Sequence, residues 1–390
     1  MTSTNGNLSW KLRSSTSRST VSCDATILAN NQNQNTDSHH EQIECRSGSL
    51  EWKRIVLQDG KSAGLECLTI NTGAVEVTIL PDRGMGLWKC WANHLELGWQ
   101  SPVAGPVHPN LVPVHDATGI GWLEGFDELL VRCGLYSNGA PEFHANGTVR
   151  HPLHGRIANL PASDLEITVD TENGILDVVG VVSEARFLIY SLELQTRYRF
   201  RAGSPVIEVT DIVTNCLSKP GSMQMLYHIN LGDPIVDAGA TIHAPIRNMI
   251  PRDARAKEGI DHWNVCEAPA SGFQEQVYLI TPAADAQGWS EVMLSSADKS
   301  VGCSVQFDTQ TLPYLNVWKN TAAREDGNVV GLEPATGFPN PRSIEEEQGR
   351  VVQLAAGESK AFQLRFVPLT TSQDVAQAKA RIDAIAGRAK

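Results

Sequence analysis

Residues 189–205, IYSLELQTRYRFRAGSP, alternate between large apolar and polar side chains. The apolar side carries Tyr190, Leu192, Leu194, Tyr198 and Phe200, and the polar side carries Ser191, Glu193, Gln195, Arg197, Arg199 and Arg201. A helical period of about 3.6 residues cannot produce this order, so the alternation predicts a β-strand with one face in water. AGSP then turns the chain into PVIEVTDIVTN (205–215), which we expect to be the antiparallel partner of that strand.

The same succession of strands and turns extends along most of the chain. GAVEVTILPDRGMG (73–86) has branched apolar residues at every second position before a Pro/Gly break, and GRVVQLAAGESKAFQLRFVPL (349–369) reads as two strands around a turn. SQDVAQAKARIDAIAG (372–387) has helical spacing instead, with Ser372 as a plausible N-cap. Its apolar face carries Val375, Ala378, Ile382 and Ile385. The pattern predicts an all-β fold, a large antiparallel sandwich with few short helices.

The first part of the chain differs from the rest in composition. Residues 1–46 are rich in Ser, Thr, Asn and Gln and contain few large apolar side chains. Such a segment buries too little surface to offset the entropy lost on ordering. We therefore expect residues 1–46 to be a disordered or loosely attached polar tail and residues 47–390 to form one domain.

Bulk properties narrow the function classes. The 390 residues include 32 basic and 44 acidic side chains, a formal net charge of -12 that argues against nucleic-acid binding. No stretch approaches the roughly 20 apolar residues of a membrane span, so no membrane partner is expected. The eight cysteines show no C-x-x-C spacing and fit a reducing compartment, which predicts a cytoplasmic location.

Three segments combine residue types that could carry acid–base chemistry. His228 stands in QMLYHINLGDP (224–234), His154 in HPLHGRIAN (151–159) and Glu333 in GLEPATGFPNP (331–341). Apolar neighbours of Glu333 would desolvate its carboxylate and raise its pKa towards the range of a general base. Each residue also has an ordinary structural interpretation: a packed core histidine, a turn cap and an edge glutamate.

Other catalytic classes lack their motifs. There is no H-E-x-x-H sequence, and prolines interrupt the segments in which histidines have ligand-like spacing, so we expect no metal. There is also no G-x-S-x-G, no G-x-G-x-x-G and no Walker loop, so we expect neither a serine nucleophile nor a nucleotide cofactor.

Taken together and in order, the motifs resemble the aldose 1-epimerase (galactose mutarotase) superfamily. The order is L-H-G, then H-x-N-L-G, then L-E-P before a Pro/Asn loop. The segments PDRGMG, F-x-E-L-L-V-R-C-G-L and L-H-G-R-I-A-N-L-P-A more closely resemble the mutarotase-like family DUF4432. The resemblance covers roughly residues 50–370 and implies a β-supersandwich with a concave sugar site.

The resemblance also implies roles for individual residues. His228 matches the general acid, Glu333 the general base and His154 a second histidine that hydrogen-bonds sugar oxygens. His228 and Glu333 would then face a shared cavity with room for a pyranose between them. Further candidates for substrate contacts are Arg156, Arg83, Asn230, Asp233, Asp237 and Trp122, and Arg132 is a third arginine that could receive an anionic group.

Three functions remain open from the sequence. The leading hypothesis is a carbohydrate epimerase or isomerase that interconverts sugar anomers by Glu/His acid–base catalysis, with a small sugar or sugar derivative as its partner and without a cofactor. The second is a non-catalytic carbohydrate-binding or sensing protein on the same scaffold. The third is a polysaccharide lyase or hydrolase. The sugar and the oligomeric state are not specified by any motif.

Overall fold

The computed structural model describes residues 2–4, 6–14 and 38–388, which form three helices and 25 strands. The strands are β1 (Thr2–Thr4), β2 (Asn7–Arg13), β3 (Ser38–Cys45), β4 (Gly48–Val56), β5 (Glu66–Asn71), β6 (Glu76–Leu80), β7 (Gly86–Ala92), β8 (Leu95–Leu97), β9 (Leu130–Leu135), β10 (Glu142–Phe143), β11 (Val149–His151), β12 (Ala162–Asp170), β13 (Ile175–Arg186), β14 (Tyr190–Arg201), β15 (Ile207–Asn215), β16 (Gly221–Leu231), β17 (Thr241–His243), β18 (Ile246–Pro251), β19 (Gln276–Pro282), β20 (Trp289–Ser295), β21 (Gly302–Asp308), β22 (Tyr314–Asn320), β23 (Val329–Ala335), β24 (Val352–Leu354) and β25 (Ser359–Leu369). The helices are α1 (Ala254–Glu258), α2 (Arg342–Glu347) and α3 (Ser372–Arg388).

Two large antiparallel sheets share one apolar core. The ten-stranded sheet, called the outer sheet below, has the order β1-β2-β12-β13-β14-β15-β25-β21-β20-β17. The thirteen-stranded sheet, called the site sheet below, has the order β18-β19-β22-β23-β16-β9-β7-β6-β5-β4-β3, with β24 beside β16 and β8 beside β7. A small pair, β10 and β11, lies in the long connection between β9 and β12.

The predicted strand pair is confirmed. β14 pairs with β15 in antiparallel register, with Tyr198 opposite Val209. The alternate residues of β14 from Tyr190 to Phe200 are buried, as the alternation requires. The C-terminal helix α3 is also confirmed, because Val375, Ala378, Ile382 and Ile385 are its buried residues. It packs on the outer sheet through Met293 and Leu369, since these belong to the same apolar cluster.

The strand pairing bears on two sequence expectations. Residues 349–369 do form two strands, but β24 pairs with β16 and β25 pairs with β15 and β21, so they do not pair with each other. The expectation that residues 1–46 form a disordered or loosely attached tail is corrected for β2 and β3, because β2 pairs with β12 and β3 pairs with β4. Trp10 and Ile43 provide the reason, since both are buried in the common core. Residues 15–37 of the expected tail lie outside the described residues.

A buried polar connection joins the two sheets. The Arg132 guanidinium on β9 donates from Nε and Nη2 to the Asp211 carboxylate on β15, at 2.5 and 3.0 Å. Tyr227 donates its hydroxyl to the same carboxylate at 2.8 Å, and both charged side chains have 0% exposure. The interpretation of Arg132 as an anion receptor is therefore corrected, because its charge is compensated inside the core.

Strand β16 has two different faces. Tyr227, Ile229 and Leu231 belong to the core between the sheets, whereas Leu226 belongs to a separate cluster on the opposite face. His228 lies on that opposite face too, because side chains alternate along a strand. The connection from β8 to β9, residues 98–129, contributes Trp122 and Phe126 to the same cluster and so covers this face of the site sheet.

No helix in the described part of the chain is both long and apolar enough to cross a bilayer.

Candidate functional site

A cavity of ≈500 Å³ lies on the covered face of the site sheet. This volume falls within the range of about 300–1,000 Å³ that is usual for small-molecule sites. The residues that line it come from the long connections and from strands β16, β19, β22 and β23: Trp99, Ser101, Pro102, Val103, Trp122, Leu123, Phe126, Ala140, Leu153, His154, His228, Arg252, Glu275, Val277, Trp318, Asn320, Asp326, Gly327, Glu333 and Pro339. The cavity therefore contains His228, Glu333 and His154, the three residues that the sequence analysis assigned to catalysis.

His228 and Glu333 are in direct contact. β16 and β23 are neighbours whose register pairs Ile229 with Leu332, which brings the two side chains together on the cavity side. His228 Nε2 lies 3.2 Å from Glu333 Oε1, and both side chains are buried. The two side chains, which are far apart in the sequence, lie together as expected. The distance between them is too short for a pyranose to fit in the gap. A ligand would lie over them instead.

Hydrogen-bond partners define the tautomer of His228. The Asn230 amide donates from Nδ2 to the Glu128 carbonyl at 2.9 Å, so its Oδ1 is the atom that faces His228 Nδ1 at 2.6 Å. An amide oxygen is an acceptor only, and Nδ1 must therefore carry the hydrogen. The unprotonated Nε2 is then free to accept a proton from the Glu333 carboxyl.

Burial determines where the proton of this pair resides. It lowers the pKa of His228 well below its usual range and raises the pKa of Glu333 to about 8, with the Glu275 charge as a second cause for Glu333. Both shifts disfavour the charged forms. Near pH 7 the pair therefore holds one shared proton, mainly on Glu333, and is neutral as a unit.

Aromatic rings hold the His228 imidazole on two sides. The rings of Phe126 and Trp318 lie edge-on to it, with centroid distances of 5.1 and 5.3 Å. The His154 ring lies perpendicular to it at 5.4 Å. These contacts leave the imidazole little rotational freedom, and they supply apolar surface that suits the C–H face of a sugar ring.

Gly331 makes room for the pair. It lies two residues before Glu333 on the same face of β23, and a Cβ at this position would stand 2.7 Å from Glu333 Oε1 and 3.1 Å from His228 Cε1. Any side chain would push the carboxyl or the imidazole out of place. Sequence analysis missed this glycine, although its position two residues before the glutamate in G-L-E was a usable signal.

His154 sits in a tight backbone turn. Its φ of 56° is in the left-handed region. Its Nδ1 donates to the Asn138 carbonyl at 3.0 Å, and burial lowers its pKa to about 4, so the ring is a neutral acceptor through Nε2. At the next residue, Gly155, a Cβ would stand 2.1 Å from the Ser137 carbonyl oxygen, so the chain's own backbone fills the space there.

Trp122, one of the candidates for a substrate contact, lines the cavity. Its ring is edge-on to His154 at 4.6 Å and packs against Phe126. The indole N–H is buried and has no hydrogen-bond acceptor in the described part of the chain. A buried donor without a partner at a cavity wall is a natural contact for a ligand oxygen.

The arginine candidates lie outside the cavity and need correction. Arg83 is buried and its donors go to Glu128, Asn159 and the carbonyls of Val107 and Gly125, so it anchors the covering loops. Arg156 points away from the cavity and contacts the Tyr190 hydroxyl at 3.4 Å. Neither guanidinium is placed to receive a substituent of a ligand in the cavity.

The polar candidates after β16 are also corrected. Asn230 is fully buried behind His228 and is absent from the cavity wall, so it positions the imidazole rather than a substrate. Asp233 and Asp237 both pair with Arg324 at the surface, at 2.7 and 3.0 Å. Their proximity in sequence to the N-L-G turn does not bring them to the cavity, because the chain leaves the sheet there.

The polar wall of the cavity was not among the candidates drawn from the sequence. Arg252, Glu275, Asn320 and Asp326 all line it, and Trp318 donates its indole N–H to Glu275 Oε2 at 2.7 Å. A signal was present for Trp318 and Asn320: they alternate with Leu315 and Val317, which are core residues of β22. Arg252 and Glu275 flank strands 18 and 19 of the site sheet and have no comparable pattern.

The side chains at this site are of the acid–base and hydrogen-bonding kind. Among residues 2–4, 6–14 and 38–388, no three His, Cys, Asp or Glu side chains are grouped so that they could hold a metal ion. The His228–Glu333 pair can move one proton between a carboxyl and an imidazole, and the cavity above it is open to a small ligand.

Known proteins are similar to this chain in sequence and in fold. The sequence profile of DUF4432, a domain of unknown function, matches residues 62–367. No curated protein gives a significant match. A candidate aldose 1-epimerase from Klebsiella pneumoniae subsp. pneumoniae MGH 78578 is 32% identical, with a TM-score of 0.90 over 99% of this chain and 97% of that one.

Two more distant structures share the fold. A galactose mutarotase-like protein from Clostridium acetobutylicum is 14% identical, with a TM-score of 0.56 over 86% of this chain and 100% of that one. A candidate aldose 1-epimerase from Escherichia coli K12 is 15% identical, with a TM-score of 0.50 over 78% of this chain and 99% of that one. The predicted fold class, an antiparallel galactose mutarotase-like β-sandwich, is confirmed.

Proposed function

The chain belongs to the DUF4432 family, and from that premise we propose that it is a carbohydrate isomerase that exchanges the anomers of a sugar. One observation carries the proposal. His228 and Glu333 meet at 3.2 Å on the floor of a cavity of sugar-like size, in surroundings that perturb both pKa values. Perturbed acid–base pairs in clefts are typical of catalytic sites.

The chemistry requires one base and one acid beside the same carbon atom. Glu333 as the carboxylate takes the proton from the C1 hydroxyl while His228 as the imidazolium gives a proton to the ring oxygen. The bond between C1 and the ring oxygen breaks, and an open-chain aldehyde forms. Rotation about C1–C2 and the reverse proton transfers then close the other anomer. Each group can contribute about 10²- to 10⁴-fold to the rate.

The contact between the two groups suits this reaction. The C1 hydroxyl and the ring oxygen are attached to one carbon, so two catalytic atoms only 3.2 Å apart can reach both from below. Transfer of the shared proton from Glu333 to His228 produces the carboxylate and the imidazolium together. No proton from solvent is needed, because the hydroxyl of the bound sugar becomes the new partner of the carboxylate.

The test is anomer exchange of a panel of reducing sugars, followed by NMR with the purified protein. Glu333→Gln and His228→Gln keep the size of each side chain and remove its proton-transfer function, so each is expected to slow exchange by about 10²-fold or more. His243→Gln, on strand β17 of the outer sheet, is the matched control and should exchange as fast as wild type.

The outcomes separate the three candidate functions. Variants at both catalytic positions that exchange as fast as wild type would contradict the proposed roles. A wild-type protein that binds sugars without exchanging their anomers would instead be the non-catalytic carbohydrate-binding protein. Release of unsaturated or shortened products from a polysaccharide would support the lyase or hydrolase.

A further inference from the structure

The charged side chains at the wall of the cavity are unequal in sign. Among the described residues that line the cavity, Arg252 is the one lysine or arginine, whereas Glu275 and Asp326 are both carboxylates. The His228–Glu333 pair adds no net charge, because it shares one proton. One cation against two carboxylates leaves the wall with a net charge of -1.

Arg252 is already engaged by acidic partners. Its Nη2 lies 2.8 Å from Glu275 Oε1, and its Nε lies 2.9 Å from Asp253 Oδ2. An arginine binds a carboxylate or phosphate through a planar fork of N–H donors. Two of the three nitrogens of this fork are bound by the protein's own carboxylates, which leaves Nη1 as the one nitrogen without such a partner in the described part of the chain.

Glu275 is held in place from a second direction. Its other oxygen, Oε2, accepts the Trp318 indole N–H at 2.7 Å, and Trp318 in turn packs against His228. A ligand anion that displaced Glu275 from Arg252 would also have to disturb this contact, or share the guanidinium with a carboxylate at close range. Like charges in such proximity repel.

Asp326 increases the negative character of the wall. Its side chain makes no hydrogen bond or ion pair with the part of the chain that the structure describes, and it is exposed. A free carboxylate accepts hydrogen bonds from sugar hydroxyls, which are donors. An ionised carboxylate has no hydrogen-bond donor for a phosphate, sulfonate or uronate group.

We propose that Glu275, by occupying Arg252, makes this cavity selective for sugars without an anionic group. The inference rests on the proposed function, since it takes the cavity as the sugar site. Neutral aldoses meet carboxylates that accept their hydroxyl protons and aromatic rings that pack on their C–H faces. Sugar phosphates and uronic acids meet a wall of like charge whose arginine is engaged.

The test measures binding, which does not depend on turnover. Dissociation constants for D-glucose, D-glucose 6-phosphate and D-glucuronate, and for the corresponding galactose series, are measured by ligand-observed NMR titration. In wild type, each anionic sugar is expected to bind at least about tenfold more weakly than its neutral parent. Glu275→Gln keeps an acceptor for Trp318 but removes the charge. It should reduce the ratio of the two dissociation constants, anionic sugar over neutral parent, by about tenfold.

Glu96→Gln is the matched control, because Glu96 forms an ordinary exposed pair with Lys89 at 2.7 Å away from the cavity. In Glu96→Gln, the ratio of the dissociation constants of anionic and neutral sugars should equal that of wild type. The inference is overturned if an anionic sugar binds wild type as tightly as its parent, if Glu275→Gln leaves the ratio unchanged, or if no sugar of the panel binds. Selective binding of neutral sugars without anomer exchange would refute the proposed function alone, and exchange of a sugar phosphate would refute this inference alone.

Discussion

Asn230 controls how the His228 imidazole carries its hydrogen. Its amide is oriented by the Glu128 carbonyl, and its oxygen therefore accepts from His228 Nδ1. The spacing H-I-N was visible in the sequence, and it suggested a ligand contact. Asn230 instead contacts His228 and positions its ring. Alternate side chains on a strand share a face, and the smaller amide lies behind the imidazole.

The shared proton predicts the pH dependence of exchange. Burial raises the pKa of Glu333 to about 8, so above that pH the pair loses its proton. The base then remains, but His228 has no proton to give to the ring oxygen. The rate of exchange measured by NMR should therefore fall as pH rises through about 8.

In Asn230→Asp, the fall in the rate of exchange should occur at a higher pH than in wild type. A carboxylate at Nδ1 stabilises the imidazolium, and an opposite charge at this range shifts a pKa by about one unit or more. Asn230→Leu should leave the imidazole without an acceptor and lower the plateau rate. A profile that is unchanged in Asn230→Asp would contradict the assignment of Asn230 as a positioning residue.

At the scale of the elements, two neighbouring strands bring the His228–Glu333 pair together. β16 and β23 are distant in sequence, and the register between them brings His228 beside Glu333. The pairing of β16 with β23 could not be predicted from the sequence, since 97 residues of chain separate Leu231 from Val329. For the same reason, the sequence could not assign the two strands expected in residues 349–369 to different sheets.

Gly331→Ala tests how closely β23 and β16 must fit. The added methyl group would lie 2.7 Å from Glu333 Oε1, so the carboxyl has to shift. A displacement of this order misaligns the reacting groups, and exchange should slow by about 10²-fold. Gly387→Ala is the control, because nothing lies within 4 Å of a Cβ at that helical position. Exchange at the wild-type rate in Gly331→Ala would show that the pair tolerates displacement.

At the scale of the whole molecule, the buried Arg132–Asp211 pair connects the two sheets beneath the site. Arg132 follows Val131, the partner of His228 in the ladder between β9 and β16, so the floor of the cavity and the core share one strand. A buried pair of this kind gives little net stability, but removing one partner leaves an uncompensated charge.

Asp211→Asn should therefore lower the free energy of unfolding by about 3–5 kcal/mol, measured by chemical denaturation. Asp177→Asn is the matched control. Its partner Arg199 is 30% exposed, so loss of that pair should cost about 1 kcal/mol or less. Equal losses in the two variants would contradict the role of Arg132–Asp211 as the buried connection between the sheets.

The sequence by itself determined the all-β class, the pairing of β14 with β15 and the C-terminal helix, and it singled out His154, His228 and Glu333, which line one cavity. Alternation, helical spacing and ordered motifs are local properties, and they persist when the fold is unknown. Only the tertiary structure decided that Arg83, Arg132 and Arg156 lie outside the cavity, that Gly331 is needed beside the pair, and that Arg252, Glu275 and Asp326 form the polar wall. These depend on which strands become neighbours and on which donors the core has already used, and both are settled by packing between segments far apart in the chain.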